Sequence, residues 1–147
     1  MSDTQPEPID TGLEWRRYEA RPVDESEPFW EATRDQRLLL QWCHDCDAAI
    51  HYPRAACPYC LGIELGWRQA QGVAEVYSHS TLPNAASRGL APFAPYVVAL
   101  VDLPEGVRFM TNIVGCDPAE VRCGQAVKLT WEPLTDGRHL PLFTPVD

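Results

Sequence analysis

The residues best suited to chemistry in this chain of 147 residues are four of its six cysteines, arranged as two Cys-x-x-Cys pairs. Cys43 and Cys46 form the first pair, and Cys57 and Cys60 form the second, with ten residues between the pairs. A gap of two residues lets both thiolates of one turn face a common centre, and two such turns complete the tetrahedron that zinc prefers. The sequence therefore predicts one structural zinc ion, with no coordination position left for a catalytic water.

Two other uses of these cysteines have to be weighed against zinc. Iron is the alternative metal, but rubredoxin-type iron turns usually carry glycine directly after the second cysteine, and Asp47 stands there. The segment from Cys57 to Cys60, taken alone, matches a glutaredoxin-type redox motif. A redox domain would place that motif between a strand and a helix, whereas here a second cysteine pair precedes it and strand patterning follows it. Zinc binding is therefore the preferred interpretation.

No catalytic residue is predicted among the other reactive side chains. His79 and His139 have no acid or nucleophile partner visible in the sequence, and no Gly-x-Ser-x-Gly motif or glycine-rich phosphate loop appears. His51 lies just beyond the first cysteine pair and would be needed as a metal ligand only if a cysteine were missing. Cys116 and Cys123 are expected to be ordinary small side chains.

The charge distribution argues against nucleic acid and membrane partners. The formal net charge is −9, and residues 1–35 hold ten carboxylates against four arginines. With Lys128 as the only lysine, the chain lacks the excess of cations that gives nonspecific affinity for a phosphate backbone or an anionic membrane. No apolar run approaches the ~20 residues of a membrane span, and the acidic N-terminus lacks the features of a secretory signal. We therefore expect a cytoplasmic protein whose thiols stay reduced.

The cysteine pairs lie in the second of three folded segments that the patterning predicts. Residues 1–25 are expected to form an acidic tail that orders on contact with a partner. Residues 26–37 are predicted to form an N-terminal helix, with Ser26 as its N-cap. Residues 38–66 are predicted to form the zinc ribbon, and residues 67–147 an OB-fold domain.

Strand patterning is strongest in the C-terminal segment. Five stretches there are β-branched, aromatic or alternating, namely residues 72–82, 96–101, 107–113, 127–131 and 141–145. Five strands suit a Greek-key barrel of the OB type better than a sandwich, which usually needs about seven. The ribbon is predicted to add two short strands, over residues 38–42 and 50–54. The predicted fold is therefore mostly β, with a short N-terminal helix, a zinc ribbon and a five-stranded OB-fold barrel.

The order of these features resembles the DUF35 family, whose members combine an OB fold with a rubredoxin-like zinc ribbon. The resemblance covers residues 27–147, and it rests on several motifs: Phe29-Trp30, residues 38–43, residues 52–60 with the second cysteine pair, the strands that begin at residues 72 and 96, and Trp131 with residues 140–143.

This resemblance implies a noncatalytic accessory subunit that works beside a thiolase-like enzyme on acyl-CoA thioesters. The leading interpretation is a hetero-oligomer with a lipid-transfer-type thiolase that acts as a retro-aldolase in steroid side-chain degradation. Archaeal acetoacetyl-CoA thiolase with hydroxymethylglutaryl-CoA synthase is another partner of such subunits. The family's catalytic groups belong to the partner, so acyl-CoA would be a ligand shared with it.

Two sets of residues are candidates for these contacts. Arg88, in a loop between strands, and Arg108 are the cations we expect near the CoA phosphates, because a guanidinium binds phosphate in a bidentate manner. For the partner, the expected contacts are the aromatic residues of the tail and of the helix face: Trp15, Tyr18, Phe29 and Trp30.

A binding module for nucleic acid or another ligand is the alternative function, since OB folds and zinc ribbons commonly bind nucleic acid. Charge separates the two hypotheses. The expected barrel strands carry only scattered bases, such as Arg108 and Lys128, rather than a basic groove.

Overall fold

The computed structural model describes residues 22–85 and 88–146, without the side chain of Arg88. The helix and strands, in chain order, are α1 (Glu27–Ala32), β1 (Leu39–Cys43), β2 (Ala48–Ile50), β3 (Leu65–Gln69), β4 (Val73–Leu82), β5 (Tyr96–Asp102), β6 (Arg108–Ile113), β7 (Ala126–Pro133) and β8 (His139–Pro145). Short 3-10 turns occupy Asp24–Ser26, Thr33–Asp35, Arg88–Phe93 and Pro118–Glu120. In this described part of the chain, no helix is both long and apolar enough to cross a membrane.

Strands β4 to β8 close into a barrel in the order β4-β5-β6-β8-β7. Neighbouring strands are antiparallel except β6 and β8, which run parallel where Ile113 pairs with Phe143. On one face of β5, Val97 and Val101 are fully buried, whereas Val98 and Leu100 on the other face are half-buried. The predicted five-stranded OB-fold barrel, preceded by a zinc ribbon and a short helix, is confirmed.

The ribbon is a three-stranded sheet in the order β2-β1-β3, rather than the predicted pair of strands. Strand β2 ends at Ile50, because beyond it the chain bonds to the side chain of Gln41 instead of to the backbone of β1. Gln41 Nε2 donates to the Arg54 carbonyl at 2.7 Å, and the Arg54 N–H donates to Gln41 Oε1 at 2.8 Å. The second predicted strand, over residues 50–54, is therefore wrong, and β3 supplies the missing edge of β1.

One apolar core continues from the ribbon into the barrel. Leu38 and Leu40, each 1% exposed, pack with barrel residues that include Val101 and Phe109. Truncating a buried leucine such as Leu40 to alanine costs about 2–5 kcal/mol. The ribbon is thus held against the barrel by packing, which fixes the metal-binding turns relative to the barrel strands.

Helix α1 is anchored by the turn between β7 and β8. The Arg34 guanidinium donates to the Asp136 carbonyl at 2.6 Å, and the His139 N–H donates to Thr33 Oγ1 at 3.2 Å. Arg138, only 6% exposed, lies with its guanidinium carbon 5.3 Å from the centre of the Trp30 ring. These contacts order the region after the helix, where the chain reverses.

The helix is shorter than the predicted range of residues 26–37, because α1 ends at Ala32 and continues as a 3-10 turn over Thr33–Asp35. Two further details differ from expectation. The Ser26 side chain makes no cap hydrogen bond to α1; its Oγ bonds to the backbone N–H and carbonyl of Val23 instead. Phe29 is 5% exposed and belongs to the core cluster, so it does not form the exposed face predicted for a partner. The reason is that the tertiary fold places α1 against the core through this side chain, leaving Trp30 partly exposed beside it.

Candidate functional site

The four predicted cysteines come together at one end of the ribbon. All four Sγ atoms lie within 4.8 Å of one another. Cys43 Sγ is 3.6 Å from Cys60 Sγ, and Cys46 Sγ is 3.7 Å from Cys57 Sγ. Four ligands at a Zn–S distance of roughly 2.3 Å form a tetrahedron with edges of roughly 3.8 Å, whereas a disulfide would bring two sulfurs to about 2.0 Å. The sulfur positions therefore fit a tetrahedral zinc ion.

Two turns present these thiols. Cys43 ends β1, Cys46 lies in the turn to β2, and Cys57 and Cys60 lie in the connection from β2 to β3. Backbone N–H groups donate to the sulfurs of the second turn, from Tyr59 to Cys57 and from Gly62 to Cys60, each at 3.4 Å. Such N–H···S bonds stabilise negative charge on the sulfur, which favours the thiolate that a metal requires.

Because the four thiols lie close together, the pKa values of Cys46 and Cys57 move in opposite directions. Burial and hydrogen bonds from neighbouring thiols, that of Cys57 foremost, raise the pKa of Cys46 to about 12. For Cys57, burial acts in the same direction, but the hydrogen bonds from backbone N–H groups outweigh it and lower the pKa to about 7. Without a cation, the group therefore resists complete ionisation. A bound dication reverses this, because it stabilises all four thiolates together.

The residue after the second cysteine of each turn has a left-handed backbone, with φ of 54° at Asp47 and 64° at Leu61. This is the conformation that glycine adopts most easily, and aspartate tolerates it better than leucine. The absence of glycine at residue 47 therefore does not change the shape of the turn. Asp47 also accepts hydrogen bonds from the Trp42 indole at 2.9 Å and from Arg68 at 3.4 Å.

A second feature is an apolar cavity of about 440 Å³ between α1, the segment after β2, and one wall of the barrel. The helix region, the segment after β2, the end of β4, the 3-10 turn that follows it, and strands β5, β6 and β8 all contribute. The lining residues are Ser26, Phe29, Trp30, His51, Tyr52, Pro53, Leu82, Leu90, Tyr96, Val98, Phe109, Met110, Thr111, Asn112, Leu140, Pro141 and Leu142. This size lies within the roughly 300–1,000 Å³ range of small-molecule sites. The sequence predicted the flanking strands but gave no sign of the cavity.

His51 is the unusual residue of this lining. Its ring stacks on Phe109 with 4.5 Å between ring centres and lies 4.2 Å from the ring centre of Tyr52. Its Nε2 atom is buried and has no hydrogen-bond partner among the residues that the structure describes. Burial lowers the pKa of His51 to about 4, so the imidazole is neutral at pH 7. The sequence had marked this residue only as a spare metal ligand.

The predicted CoA contacts lie in different surroundings. The Arg108 guanidinium donates two hydrogen bonds to the Asp102 carboxylate, at 2.7 and 3.1 Å, and covers the ring of Tyr77. The bonds from Arg108 lower the pKa of Asp102 below its ordinary value. Asp102 and Arg108 flank the hairpin turn symmetrically, a spacing that could have revealed their pairing. Arg88 belongs to a 3-10 turn, and its side chain lies outside the described part of the chain.

The four residues predicted to contact a partner also lie in different parts of the chain. Trp15 and Tyr18 lie outside the described residues. Phe29 and Trp30 line the apolar cavity. Among the described residues, exposed apolar side chains concentrate instead near the second cysteine turn, where Tyr59, Leu61 and Ile63 are 65%, 78% and 75% exposed.

Two family models match the chain in sequence order. The model described as "ChsH2, rubredoxin-like zinc ribbon domain" matches residues 30–65, and "ChsH2, C-terminal OB-fold domain" matches residues 67–132. The break between them falls within β3, where the ribbon passes into the barrel.

Curated relatives and a solved structure match over most of the chain. A probable enoyl-CoA hydratase alpha subunit of Thermomonospora curvata is 35% identical over 124 residues, which are 84% of this chain and 38% of that protein. A DUF35 domain-containing scaffold protein of Methanocaldococcus jannaschii is 30% identical over 73% of this chain and 77% of that protein. The structure named Ltp2-ChsH2(DUF35) aldolase matches with a TM-score of 0.75 and 34% identity, over 85% of this chain and 98% of that one. The chain thus spans well under half of the hydratase subunit.

Proposed function

Because this chain belongs to the DUF35 family, we propose that it is a noncatalytic accessory subunit of a thiolase-like enzyme that acts on acyl-CoA thioesters. The observation that carries the proposal is the similarity to a chain of the Ltp2-ChsH2(DUF35) aldolase over 98% of that chain. The match to the hydratase subunit covers only 38% of a longer protein, so the hydratase name gives no activity to this chain.

The arrangement of possible metal ligands agrees with a structural role for the metal. Within residues 22–85 and 88–146, the one group of three or more histidine, cysteine, aspartate or glutamate side chains placed to hold a metal is the four-cysteine cluster. Four protein ligands leave no open coordination position, so a zinc ion here would supply folding energy rather than Lewis-acid catalysis. This supports a subunit whose partner performs the chemistry.

The partner enzyme is proposed to be a lipid-transfer-type thiolase that acts as a retro-aldolase in steroid side-chain degradation. The word aldolase in the name of the matching structure supports this choice over other thiolase-like partners. Acyl-CoA would then be bound jointly, with the reacting carbonyl in the partner's active site.

The exposed apolar residues of the second cysteine turn are the proposed contact surface. Tyr59, Leu61 and Ile63 place three large apolar side chains within five residues, and each is more than 60% exposed. A group of this kind on a soluble protein commonly marks a protein interface, where aromatic and aliphatic anchors carry much of the binding energy. A zinc ion bound by the four cysteines would hold this turn in place, so the surface would be organised before the partner arrives.

Coexpression with a lipid-transfer-type thiolase tests the proposal. We expect one heteromeric peak on size exclusion, and no turnover of any acyl-CoA by the chain alone. The double variant Leu61→Asp with Ile63→Asp should separate the complex, whereas the matched surface variant Val73→Asp should not, because Val73 lies on β4 outside the proposed contact surface. Two individually stable and active peaks for the wild-type proteins, or turnover by this chain alone, would refute the accessory role.

The two arginines proposed to bind the CoA phosphates are not equally available for that contact. Since Arg108 is already paired with Asp102, a phosphate would have to displace that carboxylate, and Arg88 is the better candidate. In the complex, Arg88→Ala should raise KM by the equivalent of ~1.5–3 kcal/mol with kcat nearly unchanged, the pattern of lost uniform binding. Arg122→Ala is the control, because that guanidinium donates to carbonyls of its own turn. Identical kinetics for Arg88→Ala and wild type would remove Arg88 from the site.

A further inference from the structure

The apolar cavity beside α1 is open to solvent, and the described part of the chain leaves much of its wall uncovered. Met110 and Tyr52, which both line it, are 57% and 58% exposed. None of the lining residues that the structure describes is an aspartate, glutamate, lysine or arginine. Covering apolar surface is favourable and burying an unpaired charge is costly, so a segment with large apolar side chains would fit this cavity best.

The N-terminal end of the described residues lies at the rim of this cavity. Ser26 is one of the lining residues, and the described residues begin four positions earlier, at Pro22. Two hydrogen bonds fix the turn between them: the Ser26 N–H donates to the Val23 carbonyl at 2.7 Å, and the Val23 N–H donates to Ser26 Oγ at 3.0 Å. Residues 1–21 therefore join the folded chain beside the cavity.

The segment that directly precedes the described residues carries the kind of side chain that the cavity would hold. The large apolar residues of positions 10–21 are Leu13, Trp15 and Tyr18. Tyr18 and Trp15 lie four and seven positions before the described part begins. An extended chain spans ~3.3–3.6 Å per residue, so these positions lie up to roughly 14 and 25 Å from that point. Both aromatic side chains can therefore reach the cavity.

The charges of this segment also match those beside the cavity. Residues 13–21 hold three arginines against two glutamates. The acidic residues that flank Ser26 in sequence, Asp24, Glu25 and Glu27, are all exposed. Attraction between exposed charges is weak and is screened by salt, so it would orient the segment rather than hold it. The larger contribution would come from burying the aromatic rings.

The covalent connection reduces the affinity that docking requires. A segment held near its site by a short linker has an effective concentration on the order of millimolar. A contact too weak to capture a free peptide can then be occupied in most molecules. Met110 suits such a contact, because a methionine side chain is flexible and its sulfur packs favourably against aromatic rings.

We propose that the segment of residues 13–18 docks into the apolar cavity of its own chain, with Trp15 and Tyr18 packed against Met110. The docked segment covers the exposed apolar wall of the free subunit and closes the cavity to other molecules. This interaction lies beyond the accessory function proposed above and does not depend on it.

The methyl group of Met110 reports on the cavity, because Met110 is the only methionine besides Met1. NMR of the full-length, zinc-loaded chain with ¹³C-labelled methionine methyl groups should show nuclear Overhauser contacts from Met110 to the rings of Trp15 and Tyr18. Their relative intensity should persist on roughly tenfold dilution, as docking within one chain requires. Absence of these contacts would overturn the proposal. Contacts that disappear on dilution would assign the cavity to the tail of a second copy and overturn it as well.

Replacing both aromatic residues, in the variant Trp15→Ser with Tyr18→Ser, should uncover the cavity. The Met110 methyl resonance should shift because two ring currents are lost, and peroxide should oxidise Met110 to its sulfoxide at least about threefold faster. Ile9→Ser is the matched control, because it removes an apolar side chain of the same tail outside the docking segment. It should leave both readouts unchanged. An unchanged Met110 in the double variant, or an equal change in the control, would contradict docking.

Zinc content and melting temperature are measured for every protein, so that a misfolded variant is recognised. If the double variant does not fold, the contacts of Met110 in the wild-type chain still decide the question. Contacts that arise only after a lipid-transfer-type thiolase is added would assign the aromatic residues to partner binding and overturn the proposal. The other measurements use this chain alone, so their failure is separate from a failure to associate with the thiolase-like subunit.

Discussion

Replacing His51 with phenylalanine should make this protein more stable, and more so in acid. The variant keeps a flat ring against Phe109 and removes the buried, unpaired Nε2. Leaving such an atom unpaired costs about 1–3 kcal/mol, so at pH 7.5 we expect a gain of about 1–2 kcal/mol, because relaxation recovers part of the cost. For a domain of this size the melting temperature should rise by roughly 2–8 °C.

The pH dependence follows from the lowered pKa of His51. The folded protein holds this pKa at about 4 against an ordinary value of 6.5, because burial disfavours the charged form. Between these two values the unfolded chain binds the proton and the folded protein does not, so wild-type stability falls as the pH drops from 6.5 towards 4. At pH 5.0 this linkage is worth about 2 kcal/mol, which adds to the advantage of His51→Phe over wild type.

Urea unfolding at pH 7.5 and pH 5.0, with equal zinc in every sample, measures both effects. The difference between wild type and variant cancels the protonation of the cysteine ligands, which both proteins share. His79→Phe is the matched control, because this histidine is exposed on β4 and its replacement should change stability by less than ~0.5 kcal/mol at either pH. If His51→Phe is less stable than wild type at pH 7.5, or if its advantage does not grow at pH 5.0, the imidazole is not an unpaired buried base.

The other predictions concern the cysteines and the strained turn. Cys46→Ala should lose zinc, measured by elemental analysis, and much of the roughly 10 kcal/mol of coupled folding energy, measured by thermal unfolding. The control Cys123→Ala should keep both the zinc and the stability. Iron in place of zinc in the wild-type protein would contradict the metal assignment. Iodoacetamide should label exposed Cys123 of the zinc-loaded protein well before Cys116, as measured by mass spectrometry. The reason is that burial and nearby carboxylates raise the pKa of Cys116. Faster labelling of Cys116 would contradict its placement in a half-buried site beside carboxylates. Leu61→Gly should stabilise the protein by about 1 kcal/mol in thermal or urea unfolding, because φ is 64° and the side chain is 78% exposed. Ile63→Gly, equally exposed but without a positive φ, should destabilise it, and the same sign for both glycine variants would rule out strain at Leu61.

Much of the architecture could be predicted from the sequence because it depends on the local spacing of residues. The distance between two cysteines in one turn is set by two intervening residues, so the pairs at residues 43–46 and 57–60 predicted a tetrahedral site that the sulfur positions fit. The barrel strands could be predicted for a similar reason. Alternating apolar and polar residues indicate a strand with one buried face, and runs of β-branched residues indicate a strand with both faces buried. Strand β3 was missed because Leu65–Gln69 carries neither pattern, and its burial is only partial.

What the tertiary structure alone decided involves residues that are far apart in the chain. A helical face with Phe29 and Trp30 is apolar whether it meets a partner or its own core, and only packing against β1 and β6 determined that Phe29 is buried. The second predicted strand failed because a glutamine side chain bonded to the backbone of residue 54, a competition that periodicity does not record. The cavity and the unpaired nitrogen of His51 arise where several segments that are distant in sequence meet. Local sequence determines the conformation and the buried faces of each segment, but the space left between segments depends on how all of them pack together.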